Sequence, residues 1–368
     1  MKVVTVVGTR PEVIRLSRVI AKLDSSVDHV LVHTGQNSDH GLNGMFFEEM
    51  GIRTPDYTFD INKSTLGSIL ADIMRMTEEL LQQEKPDAFL ILGDTNSGLS
   101  ALIAKRMNIP VYHMEAGNRC FDENVPEETN RRVIDHLSDF NLVYTEHARR
   151  NLIAEGFHAR RILLTGSPMR EVLDHYSNQI TQSDVVNRLD LEEKGFFLVS
   201  AHRQENVDNA ERLDALLTCL QSINKEWGIP VLVSTHPRTK QKLDARGAHE
   251  IPGVQFHKPF GFFDYCHLQT KAFCVVSDSG TISEEASMLG FPAVTLRSSI
   301  ERPEALDVGL IITTDLRAES LIEGINAATQ DRVHASIPKD YEPSNTSLRV
   351  RNFILSTAPE HRMWTGLR

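Results

Sequence analysis

The residues that could move protons in this chain are acidic side chains placed just after apolar runs. Asp94 follows AFLILG and Glu115 follows PVYHM, and both runs have the composition of buried strands. Glu127 lies in RCFDENVPEETNRR, residues 119–132, which holds three arginines and four carboxylates. Carboxylates brought close together push their pKa values apart, so that one can accept a proton while another holds one. These three acids form a candidate acid–base set.

Glu127 and a further candidate, His202, also have simpler interpretations. Pro126 can begin a helix, which places Glu127 in its first turn and Arg131 four residues further on. Contact with the helix dipole and an i, i+4 ion pair would then explain both residues without any function. His202, after the run FFLVSA, could join the acids in proton transfer. A loop histidine bonded to backbone would have the same sequence.

The first candidate phosphate-binding turn is GTRPE, residues 8–12, between a predicted strand and a predicted helix. Gly8 permits a tight turn, and Pro11 suits the start of a helix. Free N–H groups at this helix start, together with Arg10, would suit a phosphate. Arg15 lies one turn later on the same side. A capped helix with surface arginines is the alternative interpretation.

The second candidate turn is DSGTISEE, residues 278–285, in the other half of the chain. Ser279, Gly280 and Thr281 offer backbone donors and hydroxyls ahead of a helix, as a diphosphate would require. Glu285 could accept hydrogen bonds from a ribose diol, or could simply complement the helix dipole.

The neighbouring stretch PFGFFDYC supplies four aromatic side chains, of which one could stack on a base. They are Phe260, Phe262, Phe263 and Tyr265, and aromatic residues at this density also suit a core. The chain has neither a G-x-G-x-x-G stretch after the first strand nor a G-x-x-x-x-G-K-[ST] stretch. We therefore expect a nucleoside diphosphate ligand and no bound cofactor.

Apolar runs alternate with amphipathic stretches almost from end to end, which predicts an α/β fold with parallel sheets. Six runs fall in each half, so we predict two Rossmann-like, doubly wound domains with a cleft between them. The predicted boundaries are residues 1–170 and 171–346, with a helix in residues 347–368 that could pack back on the first domain. Ligands bind at the carboxyl ends of strands in such sheets, where most of these runs end in polar residues.

The composition of this 368-residue chain argues against several classes of binding partner. Its net charge of −11 argues against nucleic acid or an anionic membrane as a partner. No signal peptide or long apolar span is evident, and four scattered cysteines suit free thiols in a reducing cytoplasm. Metal-ligand spacings such as H-E-x-x-H are absent, so no metal site is expected.

Seven stretches in order make the chain resemble the non-hydrolysing UDP-N-acetylglucosamine 2-epimerase family. They are GTRPE, GDTNS, HMEAGNR, VPEETNR, AHRQEN, DSGTISEE and ERPEAL, and they cover nearly the whole sequence. The resemblance implies a fold of the GT-B type, UDP bound in the cleft, and a cytoplasmic homodimer.

The resemblance also implies roles for individual residues. Asp94, Glu115, Glu127 and His202 match the catalytic positions of the family. The positions for substrate and UDP are matched by Arg10, Arg15, Arg131, His236, Tyr265, Ser279, Gly280, Thr281, Glu285 and Arg302.

Finer features resemble one branch, the capsule and O-antigen enzymes that make UDP-N-acetyl-L-fucosamine from UDP-2-acetamido-2,6-dideoxy-β-L-talose. These features are RLS after GTRPE, GNRCFD, SAHRQENVDN, STHPR and KPFGFFDY. The chain has Arg15 where the common enzymes have lysine, and Thr281 where they have glycine. Its TGQNSDH segment has Asn37 and Asp39 in place of histidine and glutamine, which counts against allosteric activation by UDP-N-acetylglucosamine.

The expected reaction is elimination of UDP with removal of the C2 proton, followed by re-addition of UDP to the glycal. Four alternatives remain open. The enzyme could epimerise UDP-N-acetylglucosamine to UDP-N-acetylmannosamine, or it could be a hydrolysing epimerase that releases free sugar. A glycosyltransferase of the same fold would transfer the sugar to an acceptor. A non-catalytic nucleotide-sugar sensor would bind without turnover.

Overall fold

The structure, a computed structural model, describes residues 1–36, 47–235, 237–245, 251–297, 300–330 and 336–365. The chain forms two compact units. The first contains Met1–Asp174 and Asp340–Arg368, and the second contains His175–Lys339.

Both units are built on parallel sheets. The strands are β1 (Lys2–Val7), β2 (Asp28–His33), β3 (Tyr57–Thr58), β4 (Ala88–Leu92), β5 (Val111–Met114), β6 (Phe140–Val143), β7 (Ile162–Leu164), β8 (Phe197–Ser200), β9 (Val231–Ser234), β10 (Val254–His257), β11 (Cys274–Ser277), β12 (Ala293–Thr295) and β13 (Ile312–Thr313).

Helices follow most of these strands. They are α1 (Arg10–Asp24), α2 (Leu66–Glu84), α3 (Ala101–Arg106), α4 (Pro126–Leu137), α5 (Glu146–Ala154), α6 (Pro168–His175), α7 (Ser177–Thr181), α8 (Val185–Arg188), α9 (Gln204–Val207), α10 (Ala210–Trp227), α11 (Pro237–Ala245), α12 (Phe262–Lys271), α13 (Ile282–Leu289), α14 (Glu304–Asp307), α15 (Ala318–Gln330), α16 (Thr346–Thr357) and α17 (His361–Thr365). Short 3-10 helices lie at Asn96–Ser100, Ala159–Arg161 and Lys339–Tyr341.

Within the described residues, the first sheet has seven strands in the order β3-β2-β1-β4-β5-β6-β7. Its central strands are buried on both faces, which explains their continuous runs of valine, leucine and isoleucine. The prediction of six strands in this half was wrong by one. The additional strand β3 has only two residues, pairs with Val32 and His33, and is too short to produce an apolar run.

Helix α16 completes the core of the first unit from the far end of the chain. Val350 and Ile354 join the buried cluster that α1 forms with β1, β4 and β5. The hydroxyls of Tyr112 and Thr357 lie 2.7 Å apart within this core. The amphipathic pattern of α16 therefore reflects burial against the first unit, although the whole of the second unit precedes it in the sequence.

The second sheet, as far as the structure describes the chain, has six strands in the order β10-β9-β8-β11-β12-β13. All of its strand pairs are parallel, as are those of the first sheet. The prediction of two parallel-sheet α/β domains is thus confirmed. In each sheet the strand order reverses direction between two strands, β1 and β4 in the first unit and β8 and β11 in the second, and ligands of such folds bind beside that point.

None of the helices in the described ranges combines the length and apolarity needed to cross a bilayer.

Candidate active site

Asp94 and Glu115 lie at the same edge of the first sheet, because they follow the paired parallel strands β4 and β5. Leu92 is in register with Met114, and the Gly93 N–H donates to Met114 O at 3.0 Å. Glu115 has a φ of 68°, in the left-handed region that few residues other than glycine adopt. Backbone in such sparsely populated conformations clusters at functional sites.

Each of these two carboxylates is paired with a buried arginine. Arg131 donates through Nε and Nη2 to Asp94 Oδ2, at 3.0 and 2.6 Å. Arg15 Nη1 lies 2.7 Å from Glu115 Oε2, and its guanidinium lies over the Tyr144 ring, 5.8 Å from the centroid. Arginine in a fixed fork geometry orients a carboxylate more strictly than a flexible ammonium would.

Helix α4 presents two adjacent glutamates in different environments. Glu127 is exposed in the first turn, one turn before Arg131. Glu128 is buried, accepts from Cys120 N, and bonds both Arg131 and Arg132. Burial alone would raise the pKa of Glu128, but these hydrogen bonds and the charge of Arg131 outweigh it and lower that pKa.

Sequence reasoning missed Glu128. Its spacing of three and four residues from two arginines was the available signal.

The prediction of free N–H groups at the GTRPE turn was wrong. Glu12, in the third position of α1, accepts hydrogen bonds from Gly8 N and Thr9 N with one carboxylate oxygen. Its other oxygen accepts from Thr95 Oγ1 at 2.6 Å. Burial raises the pKa of Glu12 to about 7, with a smaller contribution from the charge of Asp94, against the effect of these hydrogen bonds.

The Glu12 carboxylate thus takes two of the N–H groups that the sequence offered to a phosphate at this turn. Arg10 begins that helix.

In the second unit, Asp278 organises the turn that carries His202. Its buried carboxylate accepts from the backbone N–H groups of His202 and Arg203 and from Asn206 Nδ2, at 3.0 to 3.1 Å. His202 Nδ1 lies 3.6 Å from Asp278 Oδ1, and 41% of the His202 side chain is exposed. The imidazole is therefore anchored by its backbone while its ring remains accessible.

Three charged side chains converge on Gly280, between β11 and α13. A Cβ atom at Gly280 would lie 3.2 Å from Glu301 Oε2 and 3.4 Å from Arg297 Nη1 and Arg302 Nη1. Arg302 donates to Gly280 O and lies 3.3 Å from Glu284. Arg297 is buried and bonds Glu301 at 2.8 Å.

Arg297 is the second functional candidate that sequence reasoning missed. It lies just beyond strand β12, in the same way that His202 lies just beyond β8, and this position was the available signal.

The remaining residues predicted in the second unit lie near this turn or beside the hydrophobic core of that unit. Ser279 Oγ and Thr281 Oγ1 lie 2.9 Å apart just before α13. Glu285, within α13, accepts from Gln269 Nε2 of α12 at 2.6 Å. Tyr265 is half-buried against the hydrophobic core. His236 lies outside the described residues, as do Asn37 and Asp39.

Among the residues that the structure describes, no group of three or more histidine, cysteine or acidic side chains is arranged to hold a metal ion.

Comparisons with known proteins agree with this arrangement. Residues 21–355 match the family model described as UDP-N-acetylglucosamine 2-epimerase. A UDP-N-acetylglucosamine 2-epimerase of Methanococcus maripaludis is 33% identical over 92% of this chain and 94% of its own length. A UDP-2,3-diacetamido-2,3-dideoxy-D-glucuronate 2-epimerase of Pseudomonas aeruginosa is also 33% identical, over 88% of this chain and 91% of its own.

Solved structures show the same similarity. The UDP-N-acetylglucosamine 2-epimerase of Rickettsia bellii superposes with a TM-score of 0.91 at 43% identity and covers 98% of both chains. The Methanocaldococcus jannaschii enzyme, solved in complex with UDP-GlcNAc and UDP, has a TM-score of 0.91 at 31% identity, over 97% of this chain and 100% of its own.

Proposed function

This chain belongs to the UDP-N-acetylglucosamine 2-epimerase family and is a UDP-sugar 2-epimerase, and from that premise we propose that it converts UDP-2-acetamido-2,6-dideoxy-β-L-talose to UDP-N-acetyl-L-fucosamine. Such a product would serve capsule or O-antigen synthesis, and the proposal includes a homodimeric enzyme. The choice of sugar is supported by the branch features of the sequence, above all Arg15 in place of lysine. In the structure, this arginine bonds Glu115, one of the candidate acid–base residues.

The observation that carries the epimerisation chemistry is the shared sheet edge of Asp94 and Glu115. The C2 proton beside an acetamido group is barely acidic, so its removal must be coupled to departure of a good leaving group. One carboxylate takes the proton, the C2–H electron pair forms the C1–C2 double bond, and the C1–O electrons leave with UDP. The proton of a second group then reaches C2 from the opposite face while the UDP oxygen re-forms its bond to C1.

Two sets of residues are assigned to different parts of this scheme. We assign proton transfer to Asp94, Glu115 and Glu127, without dividing acid and base among them. Stabilisation of the departing diphosphate falls to His202, Arg302, and the turn of Ser279, Gly280 and Thr281, with the uridine directed to Glu285 and Tyr265. Arg10 and His236 remain predicted substrate contacts. Arg131 already bonds Asp94 and Glu128, so we propose that it pairs with those two carboxylates and does not bind the diphosphate.

The second candidate substrate is UDP-N-acetylglucosamine, and the names of the related proteins favour it. The relative from Pseudomonas aeruginosa, named for a diacetamido glucuronate sugar, shows that similarity at this level accompanies more than one sugar. The two candidate substrates differ in ring configuration, L-talo against D-gluco, and at C6, where only UDP-N-acetylglucosamine carries a hydroxyl. A site discriminates strongly at C6 only if it hydrogen-bonds that hydroxyl.

The test is to incubate the enzyme with each nucleotide sugar in D₂O and follow the products by proton NMR. We expect the L-talo compound to be epimerised with deuterium at C2, with kcat/KM roughly tenfold or more above that for UDP-N-acetylglucosamine. Turnover of UDP-N-acetylglucosamine alone would replace the proposed substrate with the second candidate. Product without deuterium would contradict the elimination, and stoichiometric free sugar with UDP would indicate a hydrolysing enzyme.

A further inference from the structure

We propose that the buried pair His113–Asp135 is a positioning device that sets the separation of Asp94 and Glu115. The inference rests on the acid–base role proposed for those two carboxylates. Neither His113 nor Asp135 was singled out by the sequence, since one lies inside a strand and the other inside a helix. Both side chains are fully buried.

His113 connects to the loop that carries Asp94. Its Nε2 lies 2.9 Å from Gly93 O, and Gly93 directly precedes Asp94. A carbonyl oxygen can only accept, so the Nε2 atom carries a proton and donates it to this bond. Gly93 has a φ of 76°, and the histidine therefore holds the loop at its turning point.

Asp135 connects to the loop that carries Glu115. Its carboxylate lies 2.9 Å from His113 Nδ1 and accepts from Gly117 N at 3.2 to 3.3 Å. Glu115 and Gly117 both have positive φ, at 68° and 78°. A side chain at Gly117 would place its Cβ 2.4 Å from Ala148 O, so the loop has little room to adopt another path.

The result is one continuous chain of hydrogen bonds from Gly93 O through His113 and Asp135 to Gly117 N. It links the two loops that leave the adjacent strands β4 and β5. On its other side Asp135 bonds Arg119 Nη1 at 2.7 Å, and Arg119 in turn bonds Glu155 through two nitrogens. This row of hydrogen bonds is therefore tied to both loops and, through Asp135, to Arg119, so the two loops are held relative to each other.

Geometry is the quantity that such a network controls. Buried ion pairs add little net stability compared with apolar side chains of similar volume, because desolvation offsets their attraction. Proton transfer, in contrast, depends on reacting atoms held within a fraction of an ångström, and a misplacement of about 1 Å can cost about 100-fold in rate. We infer that this network serves the rate of epimerisation more than the folding of the first unit.

The same sheet offers a matched control at its opposite edge. Asp139 is as deeply buried as Asp135, lies 3.1 Å from His361 Nε2, and bonds Lys105. It accepts from Val111 N at 3.1 Å, at the amino end of β5, away from Asp94 and Glu115. A substitution at Asp139 therefore removes a comparable buried aspartate–histidine contact without touching the loops of the carboxyl edge.

The experiment compares Asp135→Asn, His113→Gln and Asp139→Asn by thermal melting and steady-state kinetics, on whichever of the two nucleotide sugars the enzyme turns over. We expect Asp135→Asn to lower kcat about 100-fold while KM and UDP affinity change less than about threefold. The glutamine amide introduced by His113→Gln can still donate to Gly93 O, so this variant should lose less than a His113→Ala variant. Asp139→Asn should melt lower yet keep its kcat.

The inference is overturned if folded Asp135→Asn and His113→Gln keep kcat within about threefold of the unmodified enzyme, or if Asp139→Asn loses as much. Glu115→Gln in the same assay separates this failure from failure of the proposed function. If Glu115→Gln loses activity while Asp135→Asn does not, only the positioning role fails. If Glu115→Gln is unimpaired, the acid–base assignment fails and the positioning role fails with it.

Discussion

The two strand-to-helix turns at Gly8–Glu12 and Ser279–Glu284 have similar sequences, but their glutamates have different partners. Both place a glutamate in the third position of the following helix. In the first turn that glutamate, Glu12, takes the N–H groups of Gly8 and Thr9 for itself. In the second turn Glu284 lies 3.3 Å from Arg302, which also bonds Gly280 O. A glutamate in the third helical position can therefore take the N–H groups of the turn, as Glu12 does, or lie beside an arginine, as Glu284 does. The second turn also has the guanidinium groups of Arg297 and Arg302 next to Gly280.

The difference also separates two tasks. Glu12 and Thr95 brace the sheet edge that carries Asp94, so the first turn supports the residues proposed for acid–base chemistry. The second turn meets Arg297, Glu301 and Arg302, which suits binding of a negatively charged ligand. The following predictions test this separation of chemistry from binding.

The largest effect is expected for Glu115→Gln. Loss of a general acid or base costs about 10²- to 10⁴-fold in rate, so kcat should fall within that range. The introduced amide oxygen can still accept a hydrogen bond from Arg15, which preserves the local packing. Calorimetric titration should show UDP affinity close to that of the unmodified enzyme. A parallel loss of UDP affinity would show that residues of the first unit also bind the diphosphate. That result would contradict the division of tasks between the two turns.

Glu12→Gln should change how stability depends on pH. The pKa of Glu12 is raised to about 7 by burial, so in the folded protein it binds a proton that the unfolded chain has already released. Stability from this group is present below about pH 4.5 and is lost as the pH rises through about 7. The full loss is roughly 3 kcal/mol, from about 1.4 kcal/mol for each pKa unit.

Urea unfolding of both proteins from about pH 4.5 to about pH 8 measures this effect. The difference in unfolding free energy, variant minus unmodified protein, should grow with pH, because glutamine carries no charge to bury. A difference that stays constant across the range would mean that Glu12 titrates normally and that the first turn does not hold a strained carboxylate.

Arg302→Ala should weaken UDP binding. The substitution removes a cation beside Gly280 and the ion pair with the buried carboxylate of Glu284. Loss of a charge-assisted hydrogen bond from this cation to the diphosphate should cost about 2 kcal/mol of binding free energy, or roughly 30-fold in affinity. Arg132→Ala is a suitable control, since the Arg132 side chain bonds Glu128 of the first unit. Equal UDP affinity in Arg302→Ala and the unmodified enzyme would remove the second turn from the binding site.

Gly280→Ala should have the smallest effect. The added methyl group would meet three side-chain ends at 3.2 to 3.4 Å, which can shift by a few tenths of an ångström. We expect UDP affinity to fall about threefold, or roughly 0.7 kcal/mol, with melting temperature little changed. A loss as large as that of Arg302→Ala would show that the Gly280 backbone itself approaches the diphosphate closely.

Part of this molecule could be predicted from residue patterns alone. Runs such as AFLILG and FFLVSA identify buried parallel strands, because such strands must be apolar on both faces. Polar residues that follow such runs within one sheet, as Asp94 and Glu115 do, then share its edge as a matter of topology. The strand β3 could not be predicted in this way, since two residues are too few to form an apolar run.

Residue patterns therefore establish the alternation of strands and helices, two parallel sheets, and which residues reach their carboxyl edges. The partner of each charge became known only from the folded structure: Glu12 with backbone N–H groups, Arg131 with Asp94, Arg297 beside Gly280, and His113 between two loops. The two kinds of information differ in range along the chain. Hydrophobic periodicity is local, whereas a hydrogen bond requires its atoms within about 3 Å, which depends on packing between segments far apart in the chain.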